Sequence, residues 1–143
     1  MKKLFLAVLA LLAIGAASAQ IKVVDSSKPI YVIYGPSAGV SLKYSYIGET
    51  REYYLQLTTT NQFDESIYIF LGDRDNARES LETMLNKLWQ LDKMYELEDS
   101  VSRPFKLMCA NTLGAKGFYV TTSEHAGHSY IRLSQIGKML EKL

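Results

Sequence analysis

The chain has 143 residues, and its 16 Lys and Arg nearly balance its 15 Asp and Glu, for a formal net charge of +1. The basic residues are scattered, so the sequence gives no electrostatic support for nucleic acid or an anionic membrane surface as a partner. A single cysteine excludes an intramolecular disulfide, so we expect the hydrophobic core alone to stabilise the fold.

The N-terminal residues have the three-part pattern of a secretory signal peptide. Two lysines precede the apolar run Leu4–Ile14, and the small residues Ala17–Ala19 provide a cleavage motif. A membrane-spanning helix needs about 20 apolar residues, which is longer than this run. We therefore predict that Met1–Ala19 is removed by cleavage between Ala19 and Gln20.

This signal predicts an exported protein. No cysteine stands near the cleavage site, so we do not expect a lipid anchor, and no later segment is long and apolar enough to span a bilayer. The brevity of the signal favours a bacterial protein of the periplasm or the medium. Residues 20–143 lack a linker or a low-complexity tract and are predicted to form one soluble domain. The sequence does not distinguish a monomer from a homo-oligomer.

The first part of the mature chain is rich in strand-forming residues. Leu42, Tyr44 and Tyr46 alternate with polar residues, which predicts a strand with one wet face. A turn at Gly48-Glu49-Thr50 pairs this strand with the next one as an antiparallel hairpin. The later run Ser66–Leu71 is apolar on both faces, which is typical of a central strand. The predicted strands here are Ile21–Asp25, Pro29–Tyr34, Leu42–Tyr46, Arg51–Thr60 and Ser66–Leu71.

The period of the apolar residues then changes from two to between three and four. This stripe predicts an amphipathic helix over about residues 74–96, with Asp73 or Asp75 capping its start. The apolar positions that define the stripe are Ala77, Leu81, Met84, Leu85, Leu88 and Tyr95.

The last part of the chain repeats the order of strands followed by a helix. Phe105–Asn111 and Phe118–Thr122 predict a hairpin, and Tyr130–Leu133 predicts a short strand. Ser134 is the predicted cap of a C-terminal helix over about residues 134–143. The fold class is therefore α+β, an antiparallel sheet of about six to eight short strands with one long and one short helix. A duplicated strands-then-helix unit is possible, although the two parts share little residue identity.

Tyrosine is unusually frequent, with ten residues and none in the signal peptide. Tyr54, Tyr68 and Tyr119 lie on the alternation opposite to the main apolar set of their strands. If no helix covers those faces, these tyrosines form an exposed aromatic patch of the kind that marks a partner site. The alternative is ordinary packing, because tyrosine is also a good strand former.

Two segments resemble catalytic or metal motifs. Gly35–Gly39 has the form G-x-S-x-G, but a nucleophile elbow at Ser37 needs a helix after it, and a strand pattern follows instead. Glu124, His125 and His128 form the one tight group of metal-capable side chains, although a zinc site usually has three or four ligands with recurring spacing. A turn at the first segment and a solvated loop at the second are the preferred interpretations.

These observations predict a non-catalytic binding domain that contacts another protein or an envelope or extracellular ligand. No cofactor is expected. The alternatives are a small exported hydrolase acting through Ser37, a metal-assisted enzyme using His125 and His128, and a subunit of an envelope assembly. Cys109 shares the alternation of Phe105 and Leu107, which predicts a buried thiol.

Overall fold

The computed structural model describes residues 29–143, in which four antiparallel strands followed by a helix occur twice. The first unit consists of β1 (Tyr31–Ser37), β2 (Val40–Ile47), β3 (Thr50–Leu57), β4 (Ile67–Gly72) and α1 (Arg74–Thr83), which continues as a π-helical turn over Met84–Leu88. The second unit consists of β5 (Met94–Glu98), β6 (Pro104–Thr112), β7 (Ala115–Thr121), β8 (Ser129–Arg132) and α2 (Leu133–Lys142). The repeated order of elements is the one that the sequence suggested as a possible duplicated unit.

The strands form two sheets of four, with the orders β1-β2-β3-β4 and β5-β6-β7-β8. The α+β class with antiparallel pairing is therefore confirmed, but the prediction of a single sheet is wrong. Each unit closes its own hydrogen-bond ladder through short turns, such as Gly48-Glu49 and Leu113-Gly114. The sequence contains no signal for where one ladder ends and the next begins, because that division depends on contacts between distant residues.

The predicted long helix over residues 74–96 is wrong in its last third. Asp73 caps α1 as expected, since its carboxylate accepts the N–H of Asn76 at 2.9 Å. After the π-helical turn, Trp89 is extended and its indole N–H donates to the carbonyls of Gly117 at 3.0 Å and Ala110 at 3.3 Å. The chain therefore leaves the helix where this side chain bonds the second sheet.

The segment assigned to the end of that helix is strand β5. Tyr95 fits both the helical stripe and a period of two, and in the fold it pairs with Leu107 of β6. Its hydroxyl donates to the carbonyl of Leu88 at 2.8 Å, which ties the π-helical turn to the second sheet. Tyr95 and Leu97 alternate with exposed neighbours, so a period of two was present in the sequence but was too short to outweigh the helical pattern.

The C-terminal helix agrees with its prediction within one residue at each end, but its cap differs. The backbone N–H of Arg132 donates to the side-chain oxygen of Gln135 at 2.8 Å, and Ser134 lies inside the helix. The side-chain amide of Gln135 also donates to the carbonyl of Ser37 at 2.8 Å. The start of α2 is thus joined to the end of β1 in the first unit.

One hydrophobic core is shared by both units. Helix α1 packs on β3 and β4 of its own sheet, and α2 packs on β7 and β8 and also on β1. Fully buried core residues come from both sheets and both helices, including Leu42, Leu55, Leu57, Ile67, Leu81, Leu107, Phe118, Ile131, Ile136 and Met139. The free thiol of Cys109 is buried in this core, as its alternation predicts.

The outer edge of β4 is closed by the second unit. The carbonyl of Phe70 accepts the N–H of Ser100 at 2.8 Å, and the N–H of Phe70 donates to the carboxylate of Asp99 at 3.2 Å. The guanidinium of Arg103 donates to the carbonyl of Tyr68 at 2.7 Å. The prediction that Ser66–Leu71 is a central strand is wrong, because β4 ends its ladder and side chains and a loop cover its other edge.

Two predictions concern residues outside the described range of 29–143. These are the signal peptide with its cleavage between Ala19 and Gln20, and the strand Ile21–Asp25. Within the described residues, neither helix has the length and apolar character that crossing a membrane requires.

A matched pair of glycine substitutions tests the close approach of β7 and β8. A Cβ on Gly117 would lie 2.3 Å from the carbonyl oxygen of Ile131 and 2.9 Å from the ring of Tyr130, whereas nothing lies within 4 Å of that position on Gly137 in α2. We expect Gly117→Ala to lower the free energy of unfolding by about 3 kcal/mol through overpacking. Gly137→Ala should raise it by about 0.8–1 kcal/mol through helix propensity. Urea denaturation measures both, and equal effects would contradict the described packing.

Candidate binding surface

Four tyrosines and one arginine form a cluster at one end of the first sheet, here called the tyrosine–arginine cluster: Tyr31, Tyr44, Tyr46, Tyr53 and Arg51. The two-residue turn at Gly48-Glu49 fixes the register of β2 and β3. Tyr44 therefore pairs with Tyr53 and Tyr46 with Arg51, while β1 places Tyr31 opposite Tyr44. The pairing brings five large side chains to one face.

The rings of the cluster are packed against one another. Tyr31 and Tyr44 are stacked with centroids 4.8 Å apart, and Tyr46 meets Tyr44 edge-on at 6.0 Å. The guanidinium carbon of Arg51 lies 4.7 Å from the centre of the Tyr44 ring, within the range of a cation–π interaction. Tyr53 is fully buried beneath them, so the cluster continues the core to the surface.

Arg51 holds the cluster together by hydrogen bonds. Its guanidinium donates to the hydroxyl of Tyr53 at 3.4 Å and to that of Tyr46 at 3.3 Å. These bonds, with that to Tyr53 foremost, raise the pKa of the Arg51 guanidinium above its ordinary value. A guanidinium has five N–H donors, and two of them serve these bonds. The exposed side chain therefore keeps a permanent positive charge with donors for a further acceptor.

The cluster adjoins the apolar edge of β1. Ile30, Tyr31 and Val32 are 54%, 41% and 53% exposed, an unusual run of consecutive large apolar residues at a surface. Among residues 29–143, strand β1 pairs with β2 alone and ends the ladder of the first sheet. An edge strand of this kind presents unpaired backbone groups to a further strand. Aromatic rings, a fixed positive charge and an open strand edge therefore meet at one site.

Two of the predicted binding tyrosines lie together on the other face of the first sheet. Tyr54 and Tyr68 have ring centroids 6.0 Å apart, and Phe70 lies 5.7 Å from Tyr54. Tyr68 is 40% exposed, but Tyr54 is only 9% exposed. Burial, and then the neighbouring Tyr68, raise the pKa of the Tyr54 hydroxyl. Of this pair, Tyr68 alone presents an accessible ring.

The third predicted tyrosine, Tyr119, lies on the second sheet and does not join the other two. Its ring packs between Tyr130 at 4.8 Å and His128 at 5.0 Å, and its hydroxyl bonds that of Thr112 at 3.2 Å. Across the same face, Met94 and Met108 are exposed. Tyr119 is thus half-buried among local partners, and no single patch unites Tyr54, Tyr68 and Tyr119.

The histidine loop lies at the junction of the two units. One ring nitrogen of His125 bonds the Thr122 hydroxyl, and the other lies 3.3 Å from the carbonyl oxygen of Ser66. The backbone N–H of Glu124 donates to the same hydroxyl of Thr122, and His128 packs against Tyr119. Within residues 29–143, no group of three or more His, Cys, Asp or Glu side chains is placed to hold a metal ion.

Ser37 is the last residue of β1 and is followed by the two-residue turn Ala38-Gly39 into β2. A nucleophile elbow joins a strand to a helix and exposes the serine on a strained turn. The strand–turn–strand arrangement here differs from that geometry. The carbonyl of Ser37 instead accepts the hydrogen bond from the side-chain amide of Gln135.

Comparison with known proteins identifies no relative. No protein family matches the sequence, and neither a curated protein nor a solved structure is similar to it.

Sequence reasoning noted Tyr44, Tyr46 and Tyr53 but did not single out the tyrosine–arginine cluster. The signal for it was the turn between β2 and β3. A turn of two residues at Gly48-Glu49 pairs Tyr46 with Arg51. The predicted turn of three residues would pair Ile47 with Arg51 instead, and that shift of one residue places Arg51 on the other face of the sheet from Tyr46. Exposure of the rings was not predictable, because it depends on where the helices end over the sheet.

Asp64 joins the two units, and its pH dependence can be tested. Hydrogen bonds from the N–H of Gly127 at 2.8 Å, and then from Ala126 and the Thr59 hydroxyl, lower the pKa of the Asp64 carboxyl against the effect of its burial. Its pKa in the folded protein is thus below the unfolded value of about 3.9. Its contribution to stability is present above that value and is lost as the pH falls through the folded pKa.

We expect Asp64→Asn to be less stable than the wild type at pH 7, with the difference shrinking below about pH 4 as the wild-type carboxylate becomes protonated. Thermal denaturation between pH 7 and pH 3 measures this difference. Glu82→Gln, at an exposed position on α1, is the control and should follow the wild-type curve. A difference that stays constant across this range would show that the Asp64 charge does not join the units.

Proposed function

We propose that this protein is an exported, non-catalytic domain that binds an extended segment of another protein along the edge of β1. The observation that carries the proposal is the apolar edge at Ile30–Val32, to which no strand among residues 29–143 is added, beside the tyrosine–arginine cluster. Export is supported by the N-terminal sequence pattern, which also favours a bacterial periplasmic or extracellular location.

Binding by strand addition fits the difference between the two edges of the first sheet. The edge of β4 is occupied by Asp99, Ser100 and Arg103 of the second unit. The edge of β1 has a contact of this kind at its end, where Gln135 bonds Ser37. An added strand gains affinity from main-chain hydrogen bonds and specificity from its alternate side chains. The backbone at the exposed start of β1, at Tyr31 and Val32, is the place where such a strand fits.

The tyrosine–arginine cluster supplies side-chain anchors beside that edge. Tyrosine and arginine are enriched among the residues that dominate binding energy at protein interfaces. Tyr31 is stacked on Tyr44, and Arg51 is held over Tyr44 by its bonds to Tyr46 and Tyr53. Because these side chains are already ordered, little conformational entropy is lost when a partner contacts them.

The charge of Arg51 indicates the chemistry of the partner segment. The guanidinium has N–H donors beyond the two that bond tyrosine hydroxyls. A carboxylate accepts charge-assisted hydrogen bonds from a guanidinium, often two in parallel, and is the ionised acceptor that unmodified side chains offer. We therefore expect an extended segment that carries at least one acidic side chain near Tyr31 and Tyr46.

Site-specific photocrosslinking in the native host tests this proposal. Benzoylphenylalanine at Ile30, Val32 or Tyr46 should give a discrete adduct with another protein. The same probe at the exposed positions Tyr68, Leu91 or Met94 should not. Arg51→Ala should reduce the adduct about tenfold, the effect of removing a binding hot spot. Arg74→Ala, which removes an exposed charge at the start of α1, is the matched control and should leave the yield unchanged.

Three outcomes would contradict the proposal. The first is the lack of an adduct from all three probe positions, Ile30, Val32 and Tyr46, at normal protein levels. The second is an adduct with the mass of two copies of this chain, which would make the edge a homodimer interface. The third is an adduct that Arg51→Ala leaves unchanged, since the tyrosine–arginine cluster would then play no part in binding.

A further inference from the structure

A cleft of about 530 Å³ lies between α1 and the end of β5, on the opposite edge of the first sheet from β1. One wall is the polar side of α1, where Asn76, Glu79, Ser80 and Thr83 follow one another at helical spacing. The other wall is formed by Leu97 and the turn after β5. Its volume is within the range of small-molecule sites, which is about 300–1,000 Å³.

The two walls meet at Gly72, where β4 turns into α1. A Cβ at this position would lie 3.3 Å from Asn76 on one wall and 3.7 Å from Ser100 on the other. The bonds from Phe70 to Asp99 and Ser100 hold the second wall against β4. The cleft runs along α1, a distance of about 10 Å between Asn76 and Thr83.

The floor of the cleft is apolar and reaches the hydrophobic core. Leu55, Ile69 and Leu71 form its base, and Leu88 and Phe105 border it. The π-helical turn that contains Leu88 widens the end of α1 at this point, and such turns are frequent at functional sites. The carbonyl of Leu88 is held by Tyr95 and by the thiol of Cys109, so this side of the cleft is fixed to the second sheet.

The charged side chains that line the cleft, among the residues the structure describes, are all acidic: Glu79, Glu98 and Asp99. The carboxylate of Asp99 is bonded to the backbone of Phe70, Val101 and Arg103 and forms an ion pair with the Arg103 guanidinium at 3.4 Å, so among the described residues the unpaired charge at the rim comes from the two glutamates. Glu79 and Glu98 are exposed and lie on opposite walls. A head group at this rim would therefore meet negative charge.

We propose that this cleft binds the aliphatic chain of a single-chain amphiphile whose head group is cationic or uncharged. The apolar floor takes the chain. The carboxylates of Glu79 and Glu98 attract a cation and repel the head group of a fatty acid. The site is separate from the tyrosine–arginine cluster, so this proposal and the proposed function stand or fall independently.

Three ten-carbon probes test the chemistry of the site: decyltrimethylammonium, decyl maltoside and decanoate. Each is titrated below its critical micelle concentration into residues 20–143 and followed through the methyl signals of Met84, Leu88 and Leu97. We expect saturable shifts from the cationic and the uncharged probe, with decanoate binding about tenfold more weakly because of the acidic rim. Equal or tighter binding of decanoate would overturn the proposal. So would shifts without saturation, or shifts centred on the exposed side chains Leu91 and Leu113.

Charge reversal at the rim gives a second test that spares the core. The double variant Glu79→Lys, Glu98→Lys should reverse the order of the probe affinities, so that decanoate binds more tightly than decyltrimethylammonium. Glu82→Lys, on the same helix but outside the cleft, is the matched control and should keep the wild-type order. An unchanged order in the double variant would show that the probes do not bind beside these carboxylates.

Discussion

The closure of the β4 edge by the second unit is the interaction on which the rest of the structure depends. Backbone groups of Tyr68 and Phe70 would otherwise form an unpaired strand edge, which can pair with another chain. Asp99, Ser100 and Arg103 supply their hydrogen-bond partners directly. The same contacts join two separate hydrogen-bond ladders into one molecule and set one wall of the acidic cleft.

The two edges of the first sheet therefore differ in kind. Exposed apolar edge strands promote aggregation, and folded proteins usually shield them with charge, bulges or a covering segment. Strand β1 has irregular register with β2, yet it leaves Ile30, Tyr31 and Val32 exposed. The proposed strand addition would cover this surface. The ordered rings and fixed charge of the tyrosine–arginine cluster favour a specific partner over indiscriminate strand pairing.

The features that depend only on residues close together in the chain could be predicted from the sequence. The alternation of Leu42, Tyr44 and Tyr46, the cap at Asp73 and the buried thiol of Cys109 all follow from neighbouring residues. Tyr95 was wrongly assigned to the helix because its position fits both the helical period and the period of two of a strand. The strand β5 in which it lies is only five residues long. The number of sheets, the fate of the β4 edge and the exposure of each tyrosine depend on residues far apart in the chain. Tyr54 illustrates this limit, since Tyr68 and Phe70 of the adjacent strand cover a ring that its own strand pattern turns outward.

Amide hydrogen exchange across the first sheet tests the central claim, that β4 is a closed edge and β1 an open one. The measurement is made by NMR on residues 20–143 without a partner. The N–H groups of Phe70 and Ser100, which bond across the junction, should exchange only through large-scale unfolding. The amides of β1 that do not bond β2 should exchange much faster. Protection of those β1 amides equal to that of Phe70 would show that the edge is already covered, and would contradict the binding of a partner strand there.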